Sequence, residues 1–81
     1  MKADTQSPAF PLAAANEDTT VRVVAINGGA GLARRLAEMG LAVGSELTIC
    51  HRQGAGLVVR RGETRFALGG GMAHRILVCT I

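Results

Sequence analysis

The chain is poor in the residues from which binding platforms and active sites are commonly built. It has no Trp and no Tyr, and Phe10 and Phe66 are its only aromatic residues. Small barrels that bind single-stranded nucleic acid stack bases on exposed aromatic rings, and this sequence offers no such platform. That absence argues against nucleic acid as a partner. The single lysine is Lys2, so no Gly-Lys-Ser or Gly-Lys-Thr phosphate loop exists. Past residue 19 the acidic residues are Glu38, Glu46 and Glu63, too few and too scattered for paired-carboxylate chemistry. Ser45 stands at a strand start without a nucleophile motif around it. These absences predict a chain that is not an enzyme.

Cysteine is scarce as well. Cys50 and Cys79 make no disulfide framework of the secreted kind, and both sit in apolar runs that read as reduced core thiols. No uncharged stretch approaches the ~18 residues a membrane helix needs, which argues against direct membrane insertion. Asp4, Gln6, Pro8 and Pro11 interrupt the start before Ala13-Ala14-Ala15, leaving no signal-peptide core. The expectation is a soluble, cytoplasmic protein.

What is present is small and aliphatic. With 81 residues, 48% of them hydrophobic, the core has to come from Val, Leu, Ile, Ala and Met. A chain of this length buries only ~60% of its unfolded surface, so its stability is modest. The eleven glycines all fall at or beyond Gly28 and punctuate the chain into short elements. Charge is divided unevenly. Lys2 faces Asp4, Glu17 and Asp18 in the first nineteen residues, whereas eight Arg face three Glu in the remainder. The folded body is basic, and its cations are all arginines, whose planar forks suit carboxylates or phosphates.

The pattern predicts five short strands, at about 21–26, 46–51, 57–60, 64–68 and 75–81, and one inserted helix at about 31–39. Residues 1–10 read as a flexible tail, with a helical turn at 11–15, and 11–81 as one domain. Val21, Val23 and Val24 lie in a β-branched strand run. Leu32, Leu36 and Met39 recur at helical spacing, and Gly40 stands where a helix-ending glycine belongs. Leu47, Ile49 and His51 alternate with Glu46, Thr48 and Cys50, placing the first three on one face. Met72-Ala73-His74 reads as one helical turn. The expected core is Val24, Leu32, Leu36, Met39, Leu41, Leu47, Ile49, Leu68, Ile76 and Val78. The fold class is mainly β, a small, partly open five-stranded barrel.

Two motifs call for comparison with plainer explanations. Gly29-Ala30-Gly31 between strand and helix resembles a phosphate loop, but its third glycine position is Arg34. The glycines serve better as the turn that lays the helix across the barrel end. His51 and His74, with the two cysteines, are the only soft or imidazole ligands, and their spacing is not that of a closed zinc site. His51 and His74 remain as a candidate weak surface site for a divalent transition metal. No cofactor is required.

Four segments together carry a family resemblance. They are Val24-Ala25-Ile26-Asn27-Gly28-Gly29, Arg35-Leu36-Ala37-Glu38-Met39-Gly40-Leu41 with Gly44, Ala67-Leu68-Gly69, and Ala73-His74-Arg75-Ile76-Leu77-Val78. In this order and spacing the chain resembles the ferrous iron transport protein A (FeoA) family over most of its length. The resemblance implies an SH3-like barrel acting as a small cytosolic accessory or regulatory protein of ferrous iron uptake. The implied partner is the membrane ferrous iron transporter and its cytosolic GTPase domain, with a homodimer as a further option. The candidate partner-binding residues are Arg34, Arg35, Met39, Leu41, Met72 and His74, in or near those segments. Asn16-Glu17-Asp18 departs from the family's usual turn, Gly69-Gly70-Gly71 is richer in glycine, and no segment supplies an iron site. Alternatives from other classes are a basic nucleic-acid-binding barrel and a weak transition-metal-binding protein.

Overall fold

β-Branched residues alternating with polar ones build the central strand of the sheet. In the computed structural model, which describes residues 8–81, that strand is Thr20–Ile26 (β2), preceded by Phe10–Pro11 (β1) and a 3₁₀ turn, Leu12–Ala14. After β2 come the helix Gly29–Glu38 (α1), the strands Glu46–Gln53 (β3), Gly56–Arg61 (β4) and Thr64–Leu68 (β5), the helix Gly70–Arg75 (α2), and the strand Ile76–Thr80 (β6). The sheet order is β1-β6-β2-β3-β4-β5, every pairing antiparallel. This is the expected small open barrel, with a two-residue strand added at one edge. The added strand includes Phe10, opposite Val78, so the last residue of the expected tail is part of the sheet. Most of that tail, residues 1–7, lies outside the described residues.

Helix α1 starts two residues earlier than its periodicity suggests and ends as predicted. Gly40 adopts φ 83°, a conformation easy only for glycine. Its N–H donates to the Ala37 carbonyl at 2.9 Å, and the Leu41 N–H donates to the Leu36 carbonyl at 2.7 Å. That pair of bonds is a Schellman motif, and Leu36 and Leu41, both fully buried, make the hydrophobic contact expected of it. Leu32 and Met39 pack half-buried at the margin of the core.

Two β-bulges set which side chains face inward. Between β2 and β6 the register steps from Val23↔Val78 to Ala25↔Leu77, so Val24 is the extra residue. Val24 is therefore turned out and 38% exposed, and does not belong to the core as expected. Between β3 and β4 the step from Ile49↔Val59 to His51↔Val58 makes Cys50 the extra residue. His51 consequently leaves the face of Leu47 and Ile49 and is exposed, and Arg52, exposed as well, comes opposite Leu57.

The Arg52 guanidinium donates from Nη1 to the Ala13 carbonyl and from Nη2 to the Ala15 carbonyl, each at 2.6 Å. Its backbone N–H donates to Glu17 Oε2 at 2.7 Å. Arg52 thus fastens the 3₁₀ turn across the barrel end, where Leu12 and Ala15 are buried. The core contains these two residues together with Val21, Val23, Leu57 and Val59, none of which is in the expected set, and among the described residues no polar or charged side chain is buried.

Candidate interaction surface

The six residues expected to meet a partner are not gathered into one patch. Arg34 and Arg35 are exposed on α1, with Met39 half-buried at its end. Met72 is half-buried and His74 exposed on α2. Helix α1 packs beside β2, whereas α2 packs on the 3₁₀ turn, β1, β4 and β6. The set therefore divides between two surfaces. Leu41 belongs to neither, because its side chain is wholly buried under the end of α1. Leu41 stands in both the expected core and the expected contact set, and its burial in the Schellman motif assigns it to the core.

The two histidines are likewise apart from any third donor. His51 stands on the outer face of β3 opposite Val58. His74 lies on α2, its Nδ1 donating to the Gly70 carbonyl at 2.8 Å. Among the described residues no group of three or more His, Cys, Asp or Glu side chains is placed to hold a metal ion. With the barrel held by an apolar core, a chelator such as EDTA is expected to leave both the circular dichroism spectrum and the melting temperature unchanged. Loss of the folded spectrum on chelation would contradict this assignment of stability.

Arginine is the feature that remains at the surface. The ion pair found among the described residues joins Arg22 Nη2 to Glu46 Oε2 at 3.0 Å, across β2 and β3, with both side chains about half exposed. Arg75 reaches back so that its guanidinium lies against Gly28, at the start of α1. Arg61 lies against Gly40, at the helix's other end, where a cation is favoured by the backbone dipole. Arg60 and Arg65 are different. They are exposed and directly opposite one another across β4 and β5, with no carboxylate in ion-pair reach among the described residues. Like charges in such a pair oppose folding, so R65E is expected to stabilise the barrel by ~0.2–1 kcal/mol, read as a higher melting temperature. Composition shows that the body is basic; only the strand register shows which arginines meet.

No helix of the described chain is long and apolar enough to cross a membrane. An open antiparallel barrel of six strands, capped by two short helices and carrying its arginines outside, is a small SH3-like domain. Residues 10–79 match the FeoA domain model, and the chain belongs to that family. A Methanocaldococcus jannaschii protein provisionally named Fe(2+) transport protein A is 35% identical over 69 residues, covering 85% of this chain and 84% of that one. The crystal structure of an iron uptake regulatory protein (FeoA) superposes with a TM-score of 0.82 at 30% identity, over 91% of this chain and 99% of that one. A manganese-dependent transcriptional repressor shares the fold, with a TM-score of 0.82 at 24% identity. There the match covers 95% of this chain but 44% of the repressor, so the same barrel is one part of a longer protein.

Proposed function

We propose that the protein is a non-catalytic accessory factor of ferrous iron uptake, acting in the cytoplasm. It docks through the exposed face of α1 on the cytosolic, GTPase-bearing part of the membrane iron transporter. Family membership and the Fe(2+) transport name of its relative support the process. The observation that carries the docking surface is Arg34 and Arg35, adjacent, exposed and without an ion-pair partner among the described residues, on a helix pinned by Leu36. A rigid helix holds such side chains ready, and each arginine adds a packing stem to its charge. Met39, half-buried beside them, supplies apolar area at the rim.

Alanine at both positions preserves the helix, since exposed helical sites accept it well. The R34A/R35A double variant is expected to keep its melting temperature while its affinity for the transporter's cytosolic domain falls by ~1–3 kcal/mol, with a flatter salt dependence. Isothermal titration calorimetry at two salt concentrations measures both. Undiminished affinity at low salt would remove α1 from the interface and transfer the assignment to Met72 and His74 on α2.

A further inference from the structure

The two edges of the sheet are finished differently. At one edge β1 is two residues long, contains Pro11 and is packed by α2. Short length, proline and a covering helix are the usual protections of an edge. At the other edge β5 has five residues, no proline, and backbone pairing to β4 alone among the described residues. The peptide groups on its other side make no backbone hydrogen bond among the described residues, and Thr64, Arg65 and Ala67 are exposed. Beside those peptide groups stand Arg65 and its cross-strand neighbour Arg60, the unneutralised pair described above. At the Leu68 end of the strand a hollow of about 240 Å³ is lined by Gln53, Gly56, Leu57, Ala67, Leu68 and Gly69. It is large enough for one aliphatic side chain.

We propose that β5 is a docking edge for an acidic, extended segment of a partner protein. The segment adds as a further strand, hydrogen-bonding the free side of β5. Its carboxylates lie over Arg65 and Arg60, and one apolar side chain enters the hollow. Backbone bonds supply affinity in this mode, and charges and pockets supply selectivity. Charge decides the occupant. A second copy of this chain adding edge to edge would bring another Arg60 and Arg65 against the first pair, whereas an acidic strand neutralises it. The surface is distinct from α1, so it neither requires nor replaces docking through Arg34 and Arg35.

The test uses the whole chain, ¹⁵N-labelled, titrated with an end-blocked peptide of about nine residues alternating Glu and Val, a length suited to one strand. A matched peptide with Lys for Glu is the control. Binding of the Glu peptide should shift the amide resonances of residues 64–68 and slow their hydrogen exchange. It should weaken as salt rises from roughly 50 to 300 mM, and the Lys peptide should not bind. R65E, expected to be folded and more stable than the parent, should weaken binding by at least about tenfold, with R60S/R65S as the neutral variant. R34A/R35A should bind the peptide as the parent does. Shifts centred on residues 29–39, equal binding of the Lys peptide, or shifts without slowed exchange in β5 would each overturn the proposal. So would concentration-dependent protection of β5 without peptide, which would show a second copy on the edge.

Discussion

Leu36→Ala is expected to unfold a large fraction of the protein near physiological temperature. Leu36 is the only residue of α1 that is fully buried, so it is the helix's main anchor on the barrel. Truncation removes its transfer free energy and leaves a cavity that a sheet stitched by backbone pairing closes only in part, at ~2–5 kcal/mol. A domain of this size has a total stability near the low end of ~5–15 kcal/mol, so the loss consumes much of it. Each kcal/mol lowers the melting temperature by roughly 4–8 °C in a chain of this length. Leu36→Met is the control, because a swap that conserves volume loses less than ~1.5 kcal/mol. Thermal melts followed by circular dichroism distinguish the two. A Leu36→Ala protein melting within a degree or two of the parent would mean that α1 is not held as described.

Leu36 was legible because a helix repeats its inward face without interruption over ten residues. Gly40 was legible for a related reason, since one residue type fits a positive φ at a helix end. The family segments in the chain pointed to the same barrel, and the match over residues 10–79 agrees with them. The strands were harder. Period-two alternation fixes a face only while the register is unbroken, and a bulge adds one residue with no marker in the sequence. Alternation alone puts Val24 in the core and His51 on the face of Leu47 and Ile49, because the extra residues, Val24 and Cys50, look like ordinary members of their strands. Leu57 and Val59 lie in a strand too short for its alternation to stand out, and the burial of Leu12 and Ala15 depends on a turn whose partner, Arg52, is distant in sequence.

The candidate surfaces follow the same division. Exposure of Arg34 and Arg35 could be read from the helix face opposite Leu36. The Arg60–Arg65 pair could not, because it exists only through the β4–β5 register. Charge counted along the chain therefore locates a basic body, and pairing across strands locates where that charge is concentrated.

Gly56→Ala is expected to be the most damaging single-methyl change in the protein. Gly56 is buried at the start of β4, opposite Gln53, and a Cβ there would coincide with the Leu68 carbonyl oxygen and crowd Gly69 Cα at 3.0 Å. Those neighbours are backbone atoms, and Leu68 is paired with Leu57 of β4, so they cannot move aside as a side-chain tip would. Gly70 makes the reciprocal approach, its added Cβ falling 2.8 Å from the Ala55 carbonyl oxygen. The Gly54-Ala55 connection and the β5–α2 junction are thus pressed together backbone to backbone, which explains two of the glycines there. Overpacking at such a site loses ~1–3 kcal/mol and more where backbone must separate, as here between Leu57 and Leu68. Gly71→Ala provides the internal control, because open space surrounds that position and its φ is not positive. There alanine restricts the unfolded chain and is expected to add ~0.4–1 kcal/mol of stability. Urea unfolding of the two variants measures the contrast. Equal midpoints for Gly56→Ala and Gly71→Ala would show that the β4 start and the Leu68 carbonyl are not in contact.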